Sequence, residues 1–430
     1  MSAVQTKGDA KTHRPDRYAD TMPEGTKARF KRWFWRPPRA HGDTIPDRTV
    51  SSLELFYDLV YVAVISQAAH HVADHVSARA FLDFAVVFAL TWIAWVNGSL
   101  YLELHGREDG RTRSVVFIQM GILALLAVFA ADAGGENGIA FGVVYATFLV
   151  FMTWVWDAVR RQDRRDQPLM APIAGRYEIG MAVSAVVILA SVVLPTDARL
   201  ALWIAYSVGW IGAIALTGWR GQLGSERGLS PTDSLVERFA LFTIIVLGEV
   251  VFGVVNGISA AEPDVKTIGT GILALWLGFG LWWIYFDILG RRRPRRDGPA
   301  LATWILTHFP ITLSIAAGGA AMVSLIDHAH DPTTPEATSW LLAGSVALGL
   351  VAQAATSTAL ADAERLALVY RPLSAAMVAG AVAALVVGWA RPAPWILVVL
   401  LVTILSVVWF VAVSRFLAAG SWGEGAAEAD

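Results

Sequence analysis

Twelve apolar stretches alternate along the chain with short polar or charged segments. A helix of about 20 mostly apolar residues crosses roughly 30 Å of hydrocarbon, so each stretch is long enough to span a bilayer. The pattern predicts spans over 53–74, 81–104, 114–131, 139–159, 177–195 and 199–219, and six more over 235–257, 267–289, 301–326, 338–360, 372–390 and 394–416. The fold class expected is therefore all-α integral membrane. The spans fall into two six-helix halves, 51–219 and 235–416, joined by a linker at 220–234. The openings of the halves align, Leu53-Glu54-Leu55-Phe56 on Val236-Glu237-Arg238-Phe239, and the second span of each is rich in tryptophan (Trp92 and Trp95; Trp276, Trp282 and Trp283). An even number of spans per half gives parallel repeats, related by an axis along the membrane normal.

Composition supports the membrane reading. Of 430 residues, 55% are hydrophobic and only 16% charged, against about 25% charged in soluble domains. The absence of cysteine excludes disulfides, thiolate metal sites and cysteine nucleophiles. Charge distribution sets the topology. The loops at 105–113, 160–176, 220–234, 290–300 and 361–371 hold 17 arginines, and the alternate loops hold only Arg79, Arg199, Lys266 and Arg391. Short loops rich in Lys/Arg stay cytoplasmic, which puts both termini inside, with a short cytoplasmic tail at 417–430. Residues 1–50 carry 11 Lys/Arg and no apolar run, so a disordered cytoplasmic tail without a cleavable signal is expected. Within it Arg29, Phe30, Trp33, Phe34 and Arg36 belong to an alternation of bases and rings that suits the headgroup layer of anionic lipid. Nothing implies nucleic-acid binding or a cofactor.

Ionisable groups inside spans are costly and are functional candidates by default. Glu54 and Asp58 share a face of the first span, continued by Tyr61 and Ile65. They are placed either to bind a cation or proton, or to cap the helix and pair with an arginine such as Arg113 or Arg238. Gln67, His70, His71 and Asp74 fall on nearly the opposite face, so the helix is expected in the bundle interior. In the seventh span Arg238, Glu249 and Asn256 share a face, with Glu249 near mid-membrane, either exchanging protons in a cavity or clamping helices. The position aligned with Glu249 in the first half is Ser66. His308, two residues before Pro310, is either part of a permeation path or a packing residue, and Asp287 closes the eighth span. His71 and His75, with Asp74 between them, have i, i+4 spacing that suits a divalent metal, although no third ligand is fixed by the pattern. There is no phosphate-binding loop, H-E-x-x-H or G-x-S-x-G motif. Paired glycines such as Gly278 and Gly280, or Gly318 and Gly319, suggest close helix packing.

Ser52-Leu53-Glu54-Leu55-Phe56-Tyr57-Asp58-Leu59-Val60, followed by Gln67 and His70-His71, resembles the opening of the bacterial low temperature requirement protein A family. Glu237-Arg238-Phe239-Ala240-Leu241-Phe242 running to Ile245-Val246-Leu247-Gly248-Glu249, together with Trp95, Asn97-Gly98 and Asp287, is similar to the same family. Tyr57 stands where the family pattern usually has Phe. The resemblance covers roughly residues 50–415. It implies architecture and a place in the bacterial inner membrane, and it marks Glu54, Asp58, Glu237, Arg238 and Glu249 as the family's polar positions without giving them a role. The residues themselves favour a transporter or channel for a proton, cation or small solute. The alternatives are a non-transporting membrane-stress or assembly protein, and a membrane enzyme with an outer-face His/Asp site.

Overall fold

The computed structural model describes residues 26–34, 36–43, 45, 48–221, 223, 229–262 and 264–420. The tail before residue 26, part of the linker and the end of the C-terminal tail lie outside the described residues. Among those described there are thirteen helices and no strand beyond an isolated bridge between Pro294 and Leu360. The short α1 (Thr26–Phe34) precedes α2 (Ser52–Asp74), α3 (Ala78–His105), α4 (Gly110–Val128), α5 (Gly138–Asp166), α6 (Ala171–Ser191) and α7 (Thr196–Trp219). The second half holds α8 (Asp233–Ala260), α9 (Val265–Ile288), α10 (Gly298–Asp327), α11 (Glu336–Ser357), α12 (Ala367–Ala390) and α13 (Pro394–Ala418). The last twelve are long and apolar enough to cross a membrane, as the hydropathy pattern predicts.

Helix starts follow local chemistry. Ser51, Ser77, Asp109, Thr232, Asp264 and Asp297 each accept a backbone N–H of the first turn, satisfying a donor with no partner inside its helix. The largest boundary differences are at the arginine-rich connection between the fourth and fifth spans. α5 runs on to Asp166 and α6 begins at Ala171, and Arg160 of α5 lies 2.7 Å from Glu178 of α6. Residues 36–50 also depart from expectation. Pro38, Arg39, Ala40 and His41 are buried, so the solvated tail expected up to residue 50 stops short of that segment.

Packing repeats between the halves. α2 packs on α3 and α4, then α4 on α5, α5 on α6, α6 on α7 and α7 on α3. In the same order α8 packs on α9 and α10, then α10 on α11, α11 on α12, α12 on α13 and α13 on α9. The first six spans meet the last six through α10 against α2, α3 and α7 and through α8 against α2 and α3. α3 and α10 are accordingly the most enclosed spans, 78% buried over their apolar stretch, against 17% for α7. Glycine brings α8 onto α10: a Cβ on Gly253 would lie 2.2 Å from the Gly319 carbonyl oxygen, and one on Gly319 2.7 Å from that of Glu249. Backbones that close gain dispersion contact in a medium with little hydrophobic drive between helices. The Arg-rich turn after α9 does more than anchor topology. Arg292 pairs with Asp362, Arg293 with Asp233, and Arg295 donates to the Thr358 carbonyl at 2.9 Å.

Candidate functional site

Asp58 and Arg238 are both fully buried, on α2 and α8, and Arg238 Nη2 lies 3.1 Å from Asp58 Oδ1. Trp95 of α3 donates its indole N–H to the same oxygen at 2.9 Å. Glu54, one turn earlier on α2, has Oε2 3.7 Å from Arg238 Nη1 and Oε1 2.5 Å from Arg48 Nη2. Arg48 also bonds Glu103 near the end of α3, whose carboxylate accepts from the Thr232 hydroxyl at 2.7 Å and the Ser234 hydroxyl at 2.8 Å. The Arg238 guanidinium stands 5.7 Å over the Tyr57 ring, and the Tyr57 and Tyr61 hydroxyls are 2.7 Å apart. Three carboxylates and two guanidiniums thus join α2, α3, α8 and the segment before α2. Burying a charge is tolerable only when it is paired and hydrogen-bonded; here every charge has an opposite charge beside it, while Asp58 Oδ2, Glu54 Oε2 and Arg238 Nε and Nη1 make no hydrogen bond among the described residues. Arg238 is the partner that the acids of α2 find. Arg113 is not: it lies 5.8 Å over the Trp33 ring, because α4 carries it to the α1 side. Glu237 is exposed and accepts the Val50 N–H at 3.2 Å.

Glu249 is held differently. It lies three turns beyond Arg238, about 16 Å along the helix, and is 5% exposed. Ser66 of α2, the position aligned with it in the sequence, lies beside it. Its Oε1 has no partner among the described residues. It lines a narrow crevice between α2, α8 and α10 with Ser66, His70, Asn256 and the Gly253–Gly319 contact. The cavity volume is about 20 Å³, enough for about one water. Asp58 and Arg238 line neither this crevice nor the larger groove at the start of α2 and α4. The residues expected on one path therefore separate into a paired cluster and a lone acid.

His308 belongs to neither group. Its Nδ1 is 2.6 Å from the Trp304 carbonyl oxygen, which can only accept, so that nitrogen carries the proton. Nε2 then accepts from the Tyr285 hydroxyl at 3.0 Å. Phe239 and Trp304 close around the ring. Both nitrogens are occupied, so His308 packs and does not line either cavity. Asp287 likewise ties α9 to α13 by accepting the Trp409 indole N–H at 2.8 Å. On α2, Gln67, His70, Asp74 and His75 are exposed and His71 half-buried. The helix is therefore enclosed on the Tyr57–Tyr61 side only, contrary to the interior placement expected for both faces. No set of three or more His, Asp or Glu among the described residues is arranged to hold a metal. His71, Asp74 and His75 accordingly form no such set. His330 pairs instead with Asp264 at 3.0 Å, and the bond from the Thr267 backbone N–H holds the Asp264 carboxyl below the usual carboxylate range.

Sequence reasoning missed a second buried cluster. His41 Nδ1 is 2.6 Å from Asp163 Oδ2, and the His41 backbone N–H donates to the other oxygen of that carboxylate at 3.1 Å. The His105 ring stacks edge-on to His41 at 4.6 Å, with its Nδ1 2.8 Å from the Arg39 carbonyl. This is how residues 39–41 dock on α3 and α5. The signal was present in Glu103 and His105, which lie among Tyr101, Leu102 and Leu104 at the end of an apolar run.

Comparison with known proteins agrees with the architecture. An uncharacterized protein of Rhizobium meliloti (strain 1021) is 26% identical over 249 residues, 56% of this chain. The match spans 59% of that protein's length. No solved structure matches. The family model of the bacterial low temperature requirement A protein (LtrA) matches residues 49–411, which takes in both halves, the paired cluster and the Glu249 crevice. The chain belongs to the bacterial low temperature requirement A protein family.

Proposed function

We propose that this protein is a multi-pass transporter or channel of the bacterial inner membrane, with both termini cytoplasmic and two parallel six-helix repeats, and that it moves a proton, a monovalent cation or a small solute past Glu249. The observation that carries the reading is the unpartnered Oε1 of a buried mid-helix acid facing a crevice lined by Ser66, His70 and Asn256. An ionisable group inside a span is expensive and is retained where it serves a path. The juxtaposition of Ser66 and Glu249, at aligned positions of the two halves, supports a path at the repeat interface, where two-repeat transporters place their sites. In this reading Glu54, Asp58 and Arg238 hold the cytoplasmic ends of α2 and α8 together and do not conduct.

The test is flux of protons and of monovalent cations into liposomes carrying the purified protein. Glu249→Gln is expected to abolish the flux that the wild type supports. Full flux through that variant removes Glu249 from the path. The second reading, a membrane-stress or assembly protein without a substrate, is favoured by the internal pairing of the α2–α8 cluster and of His308. It gains if the wild type carries none of these ions.

A further inference from the structure

A groove with a cavity volume of about 1380 Å³ opens where α1, the segment before α2, and the first turns of α2 and α4 meet. α1 forms one wall and is seated directly on α4: a Cβ on Gly110 would lie 2.6 Å from the Trp33 ring and 2.9 Å from that of Phe34. The groove changes character along its length. Arg36, Arg107 and Arg113 line it together with Ser52, Thr112 and Ser114. Leu53 and, about one turn further along α2 and α4, Phe56, Val116, Phe117 and Ile118 also line it. Of these, Phe56, Phe117 and Ile118 are 57%, 75% and 45% exposed, on helices long and apolar enough to cross a membrane. A polar, cationic end thus runs into an apolar trough that opens toward the bilayer.

The cations are available. Arg48, which also lines the groove, is used by Glu54 and Glu103, and Arg107 is 3.5 Å from Asp43. The side chains of Arg36 and Arg113 are exposed and have no carboxylate partner among the described residues. Of the acids that line the groove, Glu54 is held by Arg48, and Glu108 is exposed beside Arg107. A guanidinium offers a planar fork of donors that matches a phosphate, and an indole ring such as Trp33 favours the headgroup layer.

We propose that this groove binds an anionic phospholipid, with its phosphate between Arg36 and Arg113 and one acyl chain along Phe56, Phe117 and Ile118. The site lies beside Glu54 and Arg48, so the lipid touches the outer edge of the paired cluster. It also gives α1 a purpose, since the helix completes the wall that the headgroup meets. The inference does not depend on transport.

Native mass spectrometry of the full-length protein, in detergent with phosphatidylglycerol or phosphatidylcholine added, tests it. The wild type is expected to retain phosphatidylglycerol in preference to phosphatidylcholine. A cation at an anionic headgroup is worth about fivefold, so Arg113→Gln should weaken retention about fivefold and the Arg36→Gln/Arg113→Gln double variant about thirtyfold. Arg164→Gln/Arg165→Gln, which removes two charges from the end of α5, should leave it unchanged. Both targets are exposed and have no carboxylate partner among the described residues, so the variants should melt with the wild type. Equal retention of the two lipids, or an unaffected double variant, overturns the proposal. Displacement of the lipid by soluble glycerol phosphate at equal concentration would show that the groove takes a free phosphate and not a lipid.

Discussion

Asp58 and Glu249 are both acids buried inside the bundle, and they are held in opposite ways. Asp58 meets Arg238 at 3.1 Å and the Trp95 indole at 2.9 Å, inside a network that also ties Glu54, Glu103 and Arg48. Glu249 has no counter-charge among the described residues; it lines a crevice beside Ser66, and its buried Oε1 makes no hydrogen bond there. A paired charge in a low-dielectric interior fixes geometry, because moving either partner leaves the other uncompensated. A lone acid fixes little and remains available to a ligand. The contrast also separates Arg238 from Glu249, which share one face of α8.

Removing the arginine is the harshest way to break the comparison. Arg238→Ala leaves Asp58 buried without its counter-charge and should cost about 3–5 kcal/mol. Thermal unfolding in detergent should show a large loss in melting temperature and yield. Replacing both partners with apolar residues of similar size, as in Asp58→Leu/Arg238→Met, should recover much of it. A single variant that melts with the wild type would show that the cluster does not hold α2 to α8.

The next effect is steric and lies beside Glu249. Gly253→Ala pushes a methyl into the Gly319 carbonyl, 2.2 Å away, and a backbone atom cannot swing aside as a side chain can. α8 and α10 must separate, at about 1–3 kcal/mol. The same variant widens the crevice, so flux measured on it reports whether that gap limits passage.

A smaller loss should follow Tyr285→Phe. It deletes the hydroxyl that His308 Nε2 accepts from and leaves that nitrogen buried without a partner among the described residues, which costs about 1–3 kcal/mol. If His308 only packs, flux should survive in the fraction that folds. Lost flux with normal melting would return His308 to the path.

How much of this was legible in the sequence depends on what hydropathy can encode. Twelve spans were, because bilayer thickness imposes the same length on every crossing. Which face of a span points inward was not. Lipid tails are as apolar as leucine, so the tryptophans of the two second spans read alike. They sit in opposite surroundings. Trp92 and Trp95 of α3 are fully buried, whereas Trp276, Trp282 and Trp283 of α9 are 57%, 39% and 49% exposed. The Asp58–Arg238 pair was legible as one of two options, since both residues sit inside spans and need a counter-charge. Arg39, His41 and Arg48 were not, because a polar stretch ahead of a span looks the same whether it is solvated or docked.

Glu249→Gln should have the smallest effect on stability and is the sharpest test of the comparison. The amide keeps the shape of the acid beside Ser66, and no counter-charge is left behind. Melting should stay within about 0.5 kcal/mol of the wild type, the range of changes that disturb no packing or paired charge. A loss of several kcal/mol would mean that Glu249 clamps α8 against α2 and α10 as Asp58 clamps α2 against α8. The unpartnered oxygen would then be no sign of a path. Unchanged melting together with abolished flux would separate the two acids by experiment as the geometry does, one holding the bundle and the other serving what passes through it.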